Sequence, residues 1–316
     1  MPKYMIQASY TADGTKGVML VLRPNAPPLL IVGNPNGREN RTDISERNLW
    51  IKDVQYTRAE LMGEEVVRVF ADLPTPRRLA YIGYSETPAP VWKSLEKALP
   101  KLEWAHNFST FIDKQRVQKS ALELMFHRRA ADVCDAMFQT LAREVRTGKA
   151  GYQLQAAMEH TARYEGCEYC LTWLTISPQA DYPRFDIDEC LRVPQRGDQV
   201  LAGIYITYDG HWGHAIRTAN MGEPTKAHRR IYDVVREMLD AAIDKLRPGE
   251  NLHDVNAAMH KAWRAHYGDN EVRLSRPGHG LGYSYEDPIV SLAFPYAWNM
   301  WLPLFLTVTK MRIGLP

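Results

Sequence analysis

The stretch Gly197–Thr218, GDQVLAGIYITYDGHWGHAIRT, carries its own folding instructions. Val200 to Tyr208 is rich in β-branched and aromatic residues, Asp209-Gly210 is a strong two-residue turn signal, and an aromatic-containing return run follows. The segment reads as a β-hairpin. With Asp209-Gly210 as the turn, Tyr208 faces His211, Tyr205 faces His214 and Gly203 faces Ile216. Side chains alternate across a strand, so Gly203, Tyr205, Thr207, Trp212, His214 and Ile216 share one face. That face carries a histidine where an ordinary core would carry an aliphatic residue.

Outward from the hairpin, 316 residues are enough for one large or two ordinary domains with buried cores. Lys+Arg 39 against Asp+Glu 37 leaves a net charge of +2. Bulk electrostatics therefore points to no nucleic-acid or membrane partner, and the substrate must be argued from a site. The N-terminal residues lack a cationic segment followed by an apolar core, so no secretory signal is read there. Ala297 to Val308 is too short an apolar run to span a bilayer and contains Pro303. Cys134, Cys167, Cys170 and Cys190 make no disulfide framework in a chain this long, and a reducing cytoplasm is expected. Cys167-Glu-Tyr-Cys170 has metal-knuckle spacing but no second pair, and these cysteines read as buried thiols.

Residues 1–16 form an atypical, polar N-terminal segment. Val18 to Leu22 and Leu29 to Val32 read as two buried strands joined by a turn, Leu79 to Gly83 as another, and Pro90 to Leu99 as an amphipathic helix. Asp113 to Lys149 reads as a long helical region ended by Arg146-Thr147-Gly148, and Tyr152 to Tyr164 as a second helix. The plan then recurs. At a shift of 101 residues, His127-Arg128-Arg129 lies on His228-Arg229-Arg230, Asp132-Val133 on Asp233-Val234 and Met137 on Met238. Gly148 then lies on Gly249, Ala156-Ala157-Met158 on Ala257-Ala258-Met259 and Arg163 on Arg264. Such self-similarity implies two copies of a helix–helix unit.

A second motif stands beside the hairpin: Pro277-Gly278-His279-Gly280-Leu281-Gly282, followed by Glu286-Asp287-Pro288. With Gly197-Asp198-x-Val200-Leu201, Tyr208-Asp209-Gly210 and Arg217-Thr218, it resembles the creatinase, aminopeptidase P and prolidase group of pita-bread enzymes. The resemblance implies an α+β fold: a pita-bread domain with an internal pseudo-two-fold repeat over residues 113–290, preceded by a short α/β domain over 17–112. Residues 291–316 are an atypical C-terminal tail. No Asp or Glu follows Asp287, where the group would supply two metal-binding glutamates, and a truncated or frame-altered end is the expectation, leaving sheet edges and apolar surface uncovered.

The group is expected to hold two divalent metals with two Asp, one His and two Glu, the metals generating a hydroxide that attacks an amide carbon. Its two hairpin aspartates fall on Gly203 and His214, and His279 is the one ligand retained. Hard cations in close proximity need several carboxylates to offset their charge. No metal cofactor is therefore expected; zinc or manganese at His214 and His279 is the lesser reading. Creatinase offers a metal-free precedent within the group, hydrolysing a C–N bond by acid–base chemistry with a histidine and glutamates. Its loop histidine is absent, since none occurs between His160 and His211.

The candidate catalytic set is His279 and His214 as acid/base groups with Glu286 orienting. Arg184, Asp186, Tyr205, Trp212 and Asp287 are candidate substrate contacts. The competing reading of His214 is a hydrogen-bonded core histidine; Gly203 reads either as a glycine that weakens its strand or as one making room for a ligand. The expected function is hydrolysis of an amide-type C–N bond in a small substrate or peptide. The alternative is a catalytically inactive pita-bread module that binds a peptide, small molecule or protein partner. Homodimerisation is implied by the resemblance alone.

Overall fold

The computed structural model describes residues 17–22, 26–33, 51–70, 77–84, 87–105, 116, 118–180, 190–247, 249–268, 278–282 and 289–290. The chain divides into two compact units, Met1–Gln115 and Arg116–Pro316. Among the described residues no helix is long and apolar enough to cross a membrane.

In the first unit β1 (Gly17–Val21) pairs antiparallel with β2 (Leu29–Gly33), which pairs in parallel with β3 (Asp53–Thr57). The central strand β2 reads as a continuous apolar run because both its faces are covered. Leu29 and Ile31 pack with α1 (Met62–Val69) and α2 (Ala89–Ala98), while Leu30 and Val32 pack with Ile51 on the other side. β4 (Arg78–Ala80) and β5 (Glu103–Ala105) form a separate parallel pair. The strand expected over 79–83 is thus shorter and begins one residue earlier. Helices α1 and α2 meet at Gly63, whose N–H donates to Ser94 Oγ at 2.7 Å.

In the second unit α3 (Ala121–Glu144) begins later than the expected Asp113. Ser120 and Glu123 form a capping box, each side chain accepting from the other's backbone N–H, and this satisfies donors that the first turn would otherwise leave orphaned. α4 (Gly151–Tyr164) follows, and β6 (Tyr169–Ser177), β7 (Gln199–Tyr208) and β8 (His211–Asn220) make an antiparallel meander. The helices bury Val133, Met137, Leu141, Leu154 and Met158 against Leu174, Ala202, Ile204, Ile206 and Ala215 of the sheet. Gly213 lets α3 come this near, because a Cβ there would lie 2.9 Å from that of Ala130.

The second helix pair, α5 (Lys226–Lys245) and α6 (Leu252–Tyr267), has its own core of Val234, Met238, Ala242, Leu252, Val255 and Met259. Gly148 and Gly249, 101 residues apart, both sit in the left-handed region after the first helix of their pair, with φ of 76° and 88°. β9 (Gly278–His279) pairs antiparallel with β10 (Ile289–Val290).

Gly63 makes a sharp test of helix packing. Alanine ordinarily gains about 1 kcal/mol over glycine within a helix. Here its Cβ would fall 2.1 Å from the Ser94 carbonyl oxygen, a backbone atom that cannot swing aside. Overpacking, at about 1–3 kcal/mol or more, should win. Gly63→Ala should lower the urea midpoint of the N-terminal unit; an unchanged or raised midpoint would show that the two helices do not meet this tightly.

Candidate active site

The hairpin adopts the register that the turn dictates. Asp209 and Gly210 both have positive φ, 47° and 77°, as a type I′ turn requires. Tyr208 pairs with His211, Tyr205 with His214 and Gly203 with Ile216. One face, with Ala202, Ile204, Ile206 and Ala215, is sealed against α3 and α4. The other carries Gly203, Tyr205, Thr207, Trp212, His214 and Ile216.

On this second face three rings stack in a row. Tyr205 and His214 lie with centroids 4.7 Å apart and planes inclined by 26°, and His214 and His279 with centroids 5.4 Å apart at the same inclination. β8 is tied to the segment after β9 by the Trp212 N–H, which donates to the Gly282 carbonyl at 3.0 Å. That bond carries His279 alongside His214 although 65 positions separate them in the chain. Trp212 itself packs edge-on against Tyr169.

Backbone carbonyls fix both imidazole tautomers. His214 donates from Nδ1 to the Ile204 carbonyl at 2.7 Å, and His279 from Nδ1 to the Gly280 carbonyl at 2.9 Å. A carbonyl can only accept, so in each neutral ring Nε2 is the proton-accepting atom. Burial pushes the His214 pKa down to about 4, assisted by the neighbouring His279 and opposed by the bond to Ile204. His214 is therefore neutral at pH 7. It is a hydrogen-bonded, half-buried histidine stacked between Tyr205 and His279.

Gly203 is not an empty notch. Trp173 of β6 is its cross-strand partner, and a Cβ on Gly203 would lie 2.1–2.4 Å from the indole atoms Cε2, Cζ2 and Nε1. The ring lies over the glycine and is 2% exposed. Sequence reasoning missed Trp173; its signal, a large aromatic opposite a strand glycine, becomes readable only once β6 is registered on β7.

A second histidine pair, also unanticipated, lies on the helix-facing side. The rings of His127 on α3 and His211 at the start of β8 meet edge-on at 5.1 Å, and His127 Nδ1–H donates to the Trp212 carbonyl at 3.2 Å. Burial, reinforced by His211, holds His127 at about 4.

The Gly197-Asp198 of the hairpin motif has a structural task. Asp198 accepts a two-pronged bond from Arg192, at 3.0 and 2.8 Å, and another from the Gln195 N–H at 2.8 Å. Burial works to raise its pKa, but these bonds outweigh it and hold the carboxyl below the usual range. Burial raises Cys167 to about 11 and Cys170 to about 12, so these two thiols are inert. Arg184, Asp186, Glu286 and Asp287 lie outside the described residues. Among the described residues no three His, Cys, Asp or Glu side chains come together as a metal-binding group.

A meander backed by one helix pair and followed by a duplicate pair places the second unit in the pita-bread class of α+β folds. Residues 126–300 match the profile of metallopeptidase family M24, and the chain belongs to that family. It is 27% identical over 195 residues to a Xaa-Pro dipeptidase of Lactobacillus delbrueckii subsp. lactis, covering 60% of this chain and 52% of that protein. It is 31% identical over 153 residues to a Xaa-Pro aminopeptidase of Escherichia coli K12, covering 47% of this chain and 34% of that one. The chain thus spans about half the length, or less, of these relatives. Among solved structures it resembles in fold an X-Pro aminopeptidase from Thermotoga maritima MSB8, with a TM-score of 0.73 at 16% identity over 92% of this chain and 80% of that one. A prolidase from Pyrococcus furiosus gives a TM-score of 0.71 at 17% identity, over 92% and 82% respectively.

The buried imidazoles link the site to stability. His127 and His214 titrate at about 4 when folded, against 6.5 for an ordinary histidine. Between those two pH values the unfolded chain binds protons that the native chain refuses, so stability falls as pH drops through that window. The melting temperature should decline from pH 7 to about pH 4.5, and NMR titration should place the His214 midpoint near 4. A midpoint near 6.5 would mean that the ring is solvated.

Proposed function

We propose that the chain hydrolyses an amide-type C–N bond in a small substrate or Xaa-Pro-like peptide through its histidine pair, without a dinuclear metal centre. The observation that carries this reading is the alignment of two imidazoles, each held by a backbone carbonyl with Nε2 as its accepting atom. In the proposed reaction His279 Nε2 takes a proton from water as the water oxygen bonds to the amide carbon. The C–N bond breaks as the same nitrogen returns the proton to the leaving amine, giving a carboxylic acid and an amine. His214, kept neutral by burial, accepts a hydrogen bond from the attacking water or the substrate without acquiring charge. Tyr205 and Trp212 wall the site. Glu286 is assigned to orient water, and Arg184, Asp186 and Asp287 to contact substrate.

The donor set argues against the metal centre implied by family membership. The two hairpin positions expected to hold aspartates are Gly203 and His214, and an indole fills the space at Gly203. Two imidazoles bring no negative charge to offset a divalent cation, so His214 and His279 by themselves make a weak site for zinc or manganese. The buried, inert thiols of Cys167 and Cys170 suit a reducing cytoplasm.

A second reading, a non-catalytic module that binds a peptide or small molecule, is favoured by the same indole, which replaces a polar group with an apolar floor. One assay separates the two: hydrolysis of Xaa-Pro dipeptides and a panel of small amides, with EDTA, Mn²⁺ or Zn²⁺ added in parallel. The hydrolase reading expects EDTA-resistant turnover that drops by about 10²–10⁴ in His279→Ala and markedly in His214→Ala. Binding without turnover in the native protein supports the module, and turnover that requires added metal refutes the metal-free mechanism.

A further inference from the structure

We infer that Trp173 is the residue that decides what the hairpin face can hold: its indole occupies the volume a carboxylate at position 203 would need. Trp173 and Gly203 are directly opposed on β6 and β7, so their side-chain positions point to the same side of the sheet. Leu174 and Ile176 lie in the helix-facing core at odd offsets from Trp173, and this places the indole on the face of Tyr205 and His214. The first carbon of any side chain at 203 would fall 2.1 Å from Cε2 and 2.2 Å from Cζ2, inside the ring's own van der Waals envelope. These atoms belong to a rigid, buried bicycle rather than to the end of a flexible chain.

Positions 203 and 214 are diagonal neighbours on adjacent strands, because Gly203 pairs with Ile216 and His214 with Tyr205. Such neighbours lie roughly 7–8 Å apart at Cα, close enough for two carboxylates to converge on one cation. His279 stands next to position 214 and offers an imidazole to the same ion. Two carboxylates and one imidazole suit manganese or zinc. On this geometry restoring the carboxylates alone does not reopen the site, because the Trp173 indole fills the space that a side chain at 203 needs. The inference stands whether or not the chain hydrolyses a C–N bond.

The test compares Gly203→Asp/His214→Asp with the same pair combined with Trp173→Val, reading Mn²⁺ binding by titration calorimetry and by the electron paramagnetic resonance of free Mn²⁺. The triple variant should bind Mn²⁺ about tenfold or more tightly than the double, and His279→Ala added to it should remove the gain. Equal affinity in the double and triple variants overturns the inference. A cycle that needs no metal runs alongside, with Gly203→Ala, Trp173→Val and the two combined. Gly203→Ala should lower the melting temperature sharply when the indole is present and only slightly in the Trp173→Val background; additive effects would overturn the inference as well.

Discussion

The two-residue turn at Asp209-Gly210 is the constraint on which the second unit depends. With both residues at positive φ, the turn twists in the same sense as its flanking strands and fixes which residue of β7 faces which of β8. A slip by one residue would exchange the faces of β8, sending His214 into the helix core and Ala215 onto the opposite face. The register is held independently by packing. Ala202, Gly213 and Ala215 are small where α3 comes near, and Ala130 of α3 is small in return. Larger residues there would lift the helix off the sheet, so turn chemistry and core volume agree on one pairing.

Around that register a few polar bonds convert a sheet into a site. The backbone of Trp212 donates to Gly282 and accepts from His127, joining β8 at once to the segment bearing His279 and to α3. The Glu168 carboxylate accepts from Thr207 Oγ1 at 3.2 Å and lies 3.5 Å from the Gly210 N–H, bracing the turn from just before β6. The stacked rings of Tyr205, His214 and His279 thus rest on a frame that is bonded on three sides. Desolvation follows from this frame: the same packing that aligns His214 keeps its proton off.

How much of this was legible in the sequence depended on whether its cause was local. The turn, the strand pairing and the shared face of Tyr205 and His214 follow from short-range rules, and the internal repeat follows from comparing the chain with itself. The start of α3 is local too. Ser120-Ala121-Leu122-Glu123 has the capping-box spacing, and it marks the boundary better than the helical periodicity that runs back toward Asp113. Trp173 over Gly203 and His127 against His211 are different. Each joins residues 30 or more positions apart, and neither partner alone announces the contact. Asp198 shows the opposite hazard, because a motif carboxylate that looks chemical is spent on holding Arg192 and Gln195.

The duplication itself explains why the repeat is visible where it is. Val133 and Met137 on α3 match Val234 and Met238 on α5, and Met158 on α4 matches Met259 on α6; all are buried in the seam of their helix pair. Outside the seam the copies part. Ala130, fully buried where α3 meets Gly213, corresponds to Ile231, which is 48% exposed on α5. Gln155 and Glu159 on α4 clasp Thr172 of β6 through its carbonyl, N–H and hydroxyl. The corresponding residues of α6 are Asn256 and His260, and the buried Asn256 amide finds no hydrogen-bond partner among the described residues, an arrangement that costs about 1–3 kcal/mol. Identity therefore survived where both copies perform the same packing and vanished where α3 and α4 clasp β6, β7 and β8.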